Sequence, residues 1–427
     1  MNIQDIHNLF LKCKSVSIDT RKIEKDSMFF AIKGENFDAN TFAQQALDLG
    51  ALFVVIDNID YQIDDRTILV ENSLQTLQEL AKFHRSYLKL PIIALTGSNG
   101  KTTTKELINV VLSNKFQTKA TIGNLNNHIG VPLTLLSFTK DTEIGIVEMG
   151  ANHKKEIEFL CEIALPDYGY ITNFGKAHLE GFGGVQGVIQ GKSEMYQYLS
   201  KNNKRVFVNL EDPIQVEKTK DLKAFTFGIQ KEHADLKIKT VEANPLVNVE
   251  YDSFNVKSNL IGLYNANNIN AAVAIGTYFE VDNAAIKAAI EGYVPDNNRS
   301  QLLKKGSNQI ILDAYNANPS SMAVAIANFL QLENQNKIMI LGDMFELGDE
   351  SKEEHKLLLD LLLNQNNATC YMIGKAFYEH KASNDHVQFF ETFDAFAAYL
   401  KTIAFNDSTI LIKGSRGMAL ERSLDFI

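Results

Sequence analysis

The segment Leu95-Thr96-Gly97-Ser98-Asn99-Gly100-Lys101-Thr102-Thr103-Thr104-Lys105-Glu106 constrains this chain more than any other. An apolar run, Ile92 to Leu95, leads into it, and a helix-favouring run, Glu106 to Leu112, leads out. Strand, glycine loop, lysine, hydroxyls and helix in that order make a cradle for a nucleoside triphosphate such as ATP. Glycines let backbone N–H groups turn toward phosphate oxygens, and the helix N-terminus adds roughly half a positive charge. The residues expected around the phosphates are Thr96, Gly97, Ser98, Asn99, Gly100, Lys101, Thr102 and Thr103. Lys101 is expected against the β- and γ-phosphates, with the Thr102 hydroxyl on Mg²⁺. The spacing departs from the general P-loop, because Leu95 stands where the first glycine belongs. The competing reading is a turn and a helix N-cap without a ligand.

The 427 residues are enough for two or three domains with sizeable cores. A net charge of −10 argues against a nucleic-acid partner, which needs clustered Lys and Arg. An anionic nucleotide can still be held locally by amides and metal. Met1-Asn2-Ile3-Gln4-Asp5 has neither the basic start nor the apolar core of a signal peptide, and no run is long enough to span a bilayer. The expectation is a cytoplasmic protein, in which Cys13, Cys161 and Cys370 are reduced thiols rather than a disulfide frame or zinc site.

Three sections follow one another. The first, to about Leu90, mixes strands (Met28 to Ile32, Leu52 to Ile56, Thr67 to Val70) with helices at Thr41 to Leu49 and Leu74 to Tyr87. Pro91 opens the second, with strand candidates Ile92 to Leu95, Ile144 to Glu148, Tyr168 to Thr172 and Arg205 to Asn209. Between Ala234 and Leu260 the pattern turns hairpin-like, with Leu246 to Tyr251 and Phe254 to Leu260 as strands, before a helix at Asn265 to Tyr278. The polar cluster Pro295-Asp296-Asn297-Asn298 marks a second boundary. Beyond it strands are expected at Gln309 to Leu312, Lys337 to Leu341, Thr369 to Ile373, Val387 to Phe390 and Thr409 to Ile412, with helices at Ser320 to Leu332, Ser351 to Asn364 and Thr392 to Ala404. The prediction is an α/β protein of three domains: a small α/β domain (1–90), a central parallel-sheet P-loop ATPase domain (91–296) and a Rossmann-like domain (297–427).

Glu148 ends an apolar strand, where a carboxylate beside a phosphate loop can hold Mg²⁺; the alternative is a solvated strand end. His178 follows another strand on a glycine-bearing loop and reads equally as structural or as part of the site. Lys192, at or near a helix start, reads as an ordinary surface lysine.

Several stretches together resemble the Mur ligases, ATP-dependent amino-acid and peptide ligases of peptidoglycan synthesis: Thr96-Gly97-Ser98-Asn99-Gly100-Lys101-Thr102-Thr103, Glu148-Met149-Gly150, Asn173-Phe174-Gly175-Lys176-Ala177-His178 and Gly262-Leu263-Tyr264-Asn265-Ala266-Asn267-Asn268. Three more resemble the branch that adds D-alanyl-D-alanine: Gly123 to Thr134, Asp313-Ala314-Tyr315-Asn316-Ala317-Asn318-Pro319 and Leu341 to Gly348. The resemblance covers nearly the whole chain in order. It implies UDP-N-acetylmuramoyl-tripeptide and D-alanyl-D-alanine as substrates, ATP and two Mg²⁺ ions, and a monomer.

The resemblance also implies residue roles. Asp19, Thr20, Arg21 and the stretch ending at Gly34 would seat the UDP-sugar end, and Asn126 and Asn127 would lie near the muramoyl peptide. Asn265 and Asn268 would contact adenine, while Arg299 and Asp313 reach the nucleotide from the third domain. Tyr315, Asn316 and Asn318 would face substrate, and Arg416 would meet a substrate carboxylate or phosphate; Asn316 and Asn318 also suit a turn before Pro319. Lys192 falls where Mur ligases carry a CO₂-carbamylated lysine that helps His178 hold a second Mg²⁺, which makes Lys101, His178 and Lys192 the catalytic candidates. Two departures are Tyr264, where a His is usual, and Asn298-Arg299 for the commoner Gly-Arg. The competing functions are another amide ligase of the superfamily, such as a folylpolyglutamate synthase, and a nucleotide-gated switch without chemistry.

Overall fold

The computed structural model describes residues 1–296, 298–334, 336–365 and 367–427. Its three main sheets follow one another along the chain. The first holds Val16–Ser17, Met28–Phe30, Phe53–Ile56 and Thr67–Leu69, all parallel. Side chains alternate across a strand. Phe30 and Val55 therefore pack toward Ile6, Leu77 and Leu80 of helices Ile3–Phe10 and Ser73–Leu88, while Phe29 and Val54 pack toward Ala43 and Leu47. A separate hairpin pairs Lys33–Gly34 with Phe37–Asp38.

The second sheet has nine strands. Its middle is parallel, with Ile92–Thr96 between Tyr168–Ile171 and Ile144–Glu148. Every residue of Ile92–Thr96 and Ile144–Glu148 is buried, because helices cover both faces. Ile92, Ala94 and Val147 face one core, and Ile93, Leu95 and Ile146 face the other. The far wing is antiparallel: Leu236–Ala243, Leu246–Tyr251 and Asn255–Ile261. Helix Tyr264–Tyr278 lies against helix Lys101–Leu112.

The third sheet runs Gln301–Lys305, Asn308–Asp313, Thr409–Lys413, Lys337–Gly342, Thr369–Ile373, Val387–Phe390, with only the first pair antiparallel. Asp313 and Lys413 end adjacent strands in register, which brings opposite charges together at one sheet edge.

Most anticipated elements occur within a residue or two. Two are shorter: the helix expected at Thr41 to Leu49 opens as a 3₁₀ turn, Ala39–Phe42, before Ala43–Asp48, and the last expected helix stops at Leu400. Lys192 is not at a helix start but in the middle of Val185–Lys201. Asn297, at the second expected boundary, lies outside the described residues. Among the described residues no helix is long and apolar enough to cross a membrane.

Candidate active site

Parallel strands deliver their C-terminal ends to one edge, and loops leaving that edge form the site. Ile92–Thr96 delivers the glycine loop. Gly97 has φ +143°, and a Cβ there would lie 2.0 Å from Thr172 Oγ1; Gly100 has φ +80°, and its Cβ would lie 2.4 Å from Asn268 Oδ1. Both positions need glycine for conformation and for space. Lys101 opens the helix, and its Nζ donates to Gly97 O at 2.8 Å and Ser98 O at 3.3 Å. Burial pushes its ammonium below the ordinary lysine range, opposed by the Glu148 charge and aided by Arg299.

The neighbouring strand, Tyr168–Ile171, clamps this loop. Thr172 Oγ1 donates to Asn99 O at 2.6 Å, Asn173 Oδ1 accepts from Asn99 N at 3.1 Å, and Ser98 Oγ donates to Gly175 O at 2.7 Å. Thr172 and Asn173 carry no motif signal of their own beyond their position just past a strand, on the Gly175-bearing loop that leads to His178.

Ile144–Glu148 delivers Glu148, 1 % exposed. Its Oε1 accepts from Asn126 Nδ2 at 2.8 Å, while Oε2 has no hydrogen-bond partner. Lys105 Nζ lies 3.8 Å from Oε2, beyond hydrogen-bond reach. A buried, half-satisfied carboxylate is an oxygen donor suited to Mg²⁺. Among the described residues no three His, Cys, Asp or Glu side chains converge on a metal position. Lys105, 3 % exposed between Glu106 and Glu148, was not anticipated as part of this cluster.

His178 adopts φ +53°. Its Nδ1 lies 2.5 Å from Glu346 Oε2, an ion pair when the imidazole is protonated, and the imidazole holds the Glu346 carboxyl below its usual range. Lys192 is 1 % exposed, not a surface lysine; its Nζ donates to Ala151 O at 3.1 Å and sits 5.0 Å from the Phe182 ring centroid. Burial, reinforced by Lys101, drives its ammonium well below the usual range against Glu156 and Glu194.

The amide cluster on helix Tyr264–Tyr278 is interlocked. Thr104 Oγ1 donates to Asn268 Oδ1 at 3.0 Å, Asn268 Nδ2 to Asn265 Oδ1 at 2.8 Å, and Asn265 Nδ2 to Ile261 O at 2.8 Å. Tyr264, at the usual histidine position, shares a 2.6 Å hydrogen bond with Ser300. Asn298 has φ +58°, a left-handed conformation that Asn tolerates, so it fills the geometry of the commoner glycine.

The third sheet completes the chamber. Asp313 Oδ2 accepts from Lys413 Nζ at 2.6 Å, and Oδ1 from Ser300 N at 3.1 Å. The Arg299 guanidinium stacks 3.7 Å from the Tyr315 ring centroid, with its Nε unpartnered. Asn318 Nδ2 donates to Asn99 Oδ1 at 2.7 Å. Lys413, 2 % exposed, is a further member that no role had been assigned to.

One cavity of about 860 Å³ is lined by Ser98 to Thr103, Asn126, Asn127, Glu148, His178, Asn265, Asn268, Arg299, Asp313, Tyr315, Asn316 and Asn318. Thr96, Gly97 and Lys192 are not among its lining residues. Asn127 Oδ1 is occupied by the backbone N–H groups of Ile129 and Gly130, so its side chain also shapes a turn. Asp19, Thr20, Arg21, Gly34 and Arg416 are not in this lining. Arg21 forks onto Asp19 through Nε at 2.9 Å and Nη2 at 2.8 Å, and Arg416 pairs with Glu421 at 2.9 Å.

Three family models match the chain: Mur ligase family, catalytic domain, over residues 12–85; Mur ligase middle domain over 95–276; and Mur ligase, glutamate ligase domain, over 298–416. The UDP-N-acetylmuramoyl-tripeptide--D-alanyl-D-alanine ligase of Bacillus subtilis (strain 168) is 34% identical over 95% of this chain and 91% of its own length. The ligase of the same name from Escherichia coli (strain K12) is 31% identical over 95% and 92%. A crystal structure of MurF from Acinetobacter baumannii superposes with TM-score 0.86 at 29% identity, covering 99% of this chain and 98% of that one. MurF ligase from Thermotoga maritima in complex with ADP gives 0.83 at 28% identity, covering 98% and 97%. With these full-length matches behind the glycine loop, Glu148 and the three successive sheets, the chain belongs to the Mur ligase family.

Proposed function

We infer that this chain is an ATP-dependent ligase that joins D-alanyl-D-alanine to UDP-N-acetylmuramoyl-tripeptide in peptidoglycan precursor synthesis, forming ADP and phosphate. The observation that carries the reading is the single chamber in which the phosphate loop, Glu148 and the Arg299, Asp313 and Asn316 cluster meet. A nucleotide switch has no need of that convergence.

The chemistry begins with an electrostatic problem. A tripeptide carboxylate attacks the γ-phosphorus of ATP, one anion approaching another, to give an acyl phosphate and ADP. The amine of D-alanyl-D-alanine then adds to the acyl carbon, and the tetrahedral adduct expels phosphate. Lys101 and the amides of residues 98–103 offset charge on the phosphates and hold them in line. Mg²⁺, when bound, supplies further neutralisation of the phosphates. Glu148 and Thr102 are the side chains we assign to one ion, and His178 with Lys192 to a second. Burial displaces the Lys192 amine toward its neutral form, the form that reacts with CO₂, which supports the assignment of a carbamate there.

Asn265 and Asn268 are assigned to adenine, Arg299 and Asp313 to the nucleotide, and Asn126, Asn127, Tyr315, Asn316 and Asn318 to the peptide side of the chamber. Asp19, Thr20, Arg21, Gly34 and Arg416, outside the chamber, are assigned to the distant ends of the substrates. Domain limits at 90/91 and 296/297, a cytoplasmic location and a monomeric state belong to the same proposal.

The test is ADP release that requires both UDP-tripeptide and D-alanyl-D-alanine. Carboxyl-¹⁸O in the tripeptide should reach the liberated phosphate. Release with folate and glutamate instead, or tight ATP binding without turnover, would overturn the reading.

A further inference from the structure

The stretch from Thr172 to His178 is irregular backbone between Ile171, the last residue of one strand, and Leu179, the first of the next helix. Such a segment has no hydrogen-bonded ladder of its own, so its shape depends on its neighbours. On one side it grips the phosphate loop, through Thr172, Asn173 and Gly175. On the other it meets the unit built on the third sheet. Lys176 N donates to Ser320 Oγ at 2.8 Å, and Lys176 Nζ pairs with Glu354. The Glu354 side chain is 10% exposed and the Lys176 side chain 43%, so the carboxylate is the more deeply committed partner. A charge-assisted bond with one desolvated partner is stronger and more position-specific than an exposed pair.

We propose that Glu354 is a positioning residue for the ligase reaction: by holding Lys176, it couples docking of the C-terminal unit to the shape of the Thr172–His178 loop and, through Asn99, to the phosphate loop. Glu354 touches neither nucleotide nor peptide in this scheme. It acts by fixing the segment that carries His178 and braces Ser98 and Asn99. The kinetic part rests on the ligase reading; the structural part does not.

The experiment uses the full chain with ATP and compares Glu354→Gln, Lys176→Gln and the reversed pair Lys176→Glu with Glu354→Lys. Amide hydrogen exchange over residues 173–178 reports the loop, and steady-state kinetics report turnover. Each single variant should raise exchange in that loop about tenfold and lower kcat about tenfold, with exchange in residues 1–90 unchanged. The reversed pair should recover both quantities to within about threefold of wild type, which shows that the pairing itself, and not either side chain alone, holds the loop. Wild-type exchange in both single variants, or a reversed pair no better than either, would overturn the proposal. Wild-type protein that protects the loop with ATP but fails to ligate would sink the assigned reaction and leave the coupling standing.

Discussion

Asn318 Nδ2 reaches Asn99 Oδ1 at 2.7 Å, so the residue that caps a C-terminal helix also touches the phosphate loop. The same Asn318 accepts from Ser321 N at 2.9 Å as the N-cap of helix Pro319–Gln331. These two duties separate by substitution. Asn318→Ser keeps a capping oxygen but is too short to span to Asn99, whereas Asn318→Ala loses both. The variants should share a similar loss of turnover, while Ala alone costs a further ~1 kcal/mol in denaturant unfolding. Equal stabilities would show that the cap contributes nothing.

Lys101→Ala should abolish turnover, by at least about a hundredfold in kcat, because the developing phosphoryl charge loses its ammonium. The melting temperature should hold or rise, since burial already disfavours the charged form of this side chain. Calorimetry beside the ADP-release assay checks both halves. Activity near wild type would remove Lys101 from the mechanism.

Lys192→Ala should lose activity and recover part of it when a small carboxylate, such as formate, is added to fill the space and supply the anion. Removing CO₂ from the wild-type assay should slow turnover in the same direction. Neither loss nor rescue would dismiss the carbamate.

Acid stability should depend on a buried imidazole pair. His84 Nε2 lies 3.0 Å from Phe138 O, an atom that only accepts, so Nε2 carries the proton and Nδ1 accepts from His7 Nε2 at 3.0 Å. Burial, then His84, lowers His7 from 6.5 to about 4, and burial lowers His84 as well. Between those values the unfolded chain binds more protons than the folded one, so stability is full above pH 6.5 and falls on acidification toward about 4. Urea midpoints at pH 7 and 4.5 should drop more for wild type than for His7→Gln, which cannot titrate. Parallel losses would exclude the pair as the cause.

The phosphate loop was legible because its chemistry is local: two glycines, a lysine and two threonines must be contiguous to curl around phosphates. Glu148 was legible as the carboxylate end of an apolar strand, but whether that end was buried at the site or solvated depended on Asn126 and the phosphate loop, which other segments supply. Lys192 was opaque on its own spacing. Its burial depends on the Phe182 ring and the Ala151 carbonyl, supplied by other segments. The clamp of Thr172 and Asn173 on Asn99, and the Asp313–Lys413 pair, likewise join residues far apart in sequence, and no local period encodes them. Lys223–Ile229 escaped, and Leu236–Ala243 fell within the hairpin-like stretch without bounds of its own, because their burial is mixed rather than strictly alternating; both extend a sheet whose register is set by neighbours.

The Arg299–Tyr315 stack has an optical consequence. The chain contains no tryptophan. An indole introduced at position 315 would be its sole long-wavelength fluorophore, set in the chamber wall under a guanidinium, and its emission would report, in real time and without a dye, each ligand that enters or leaves.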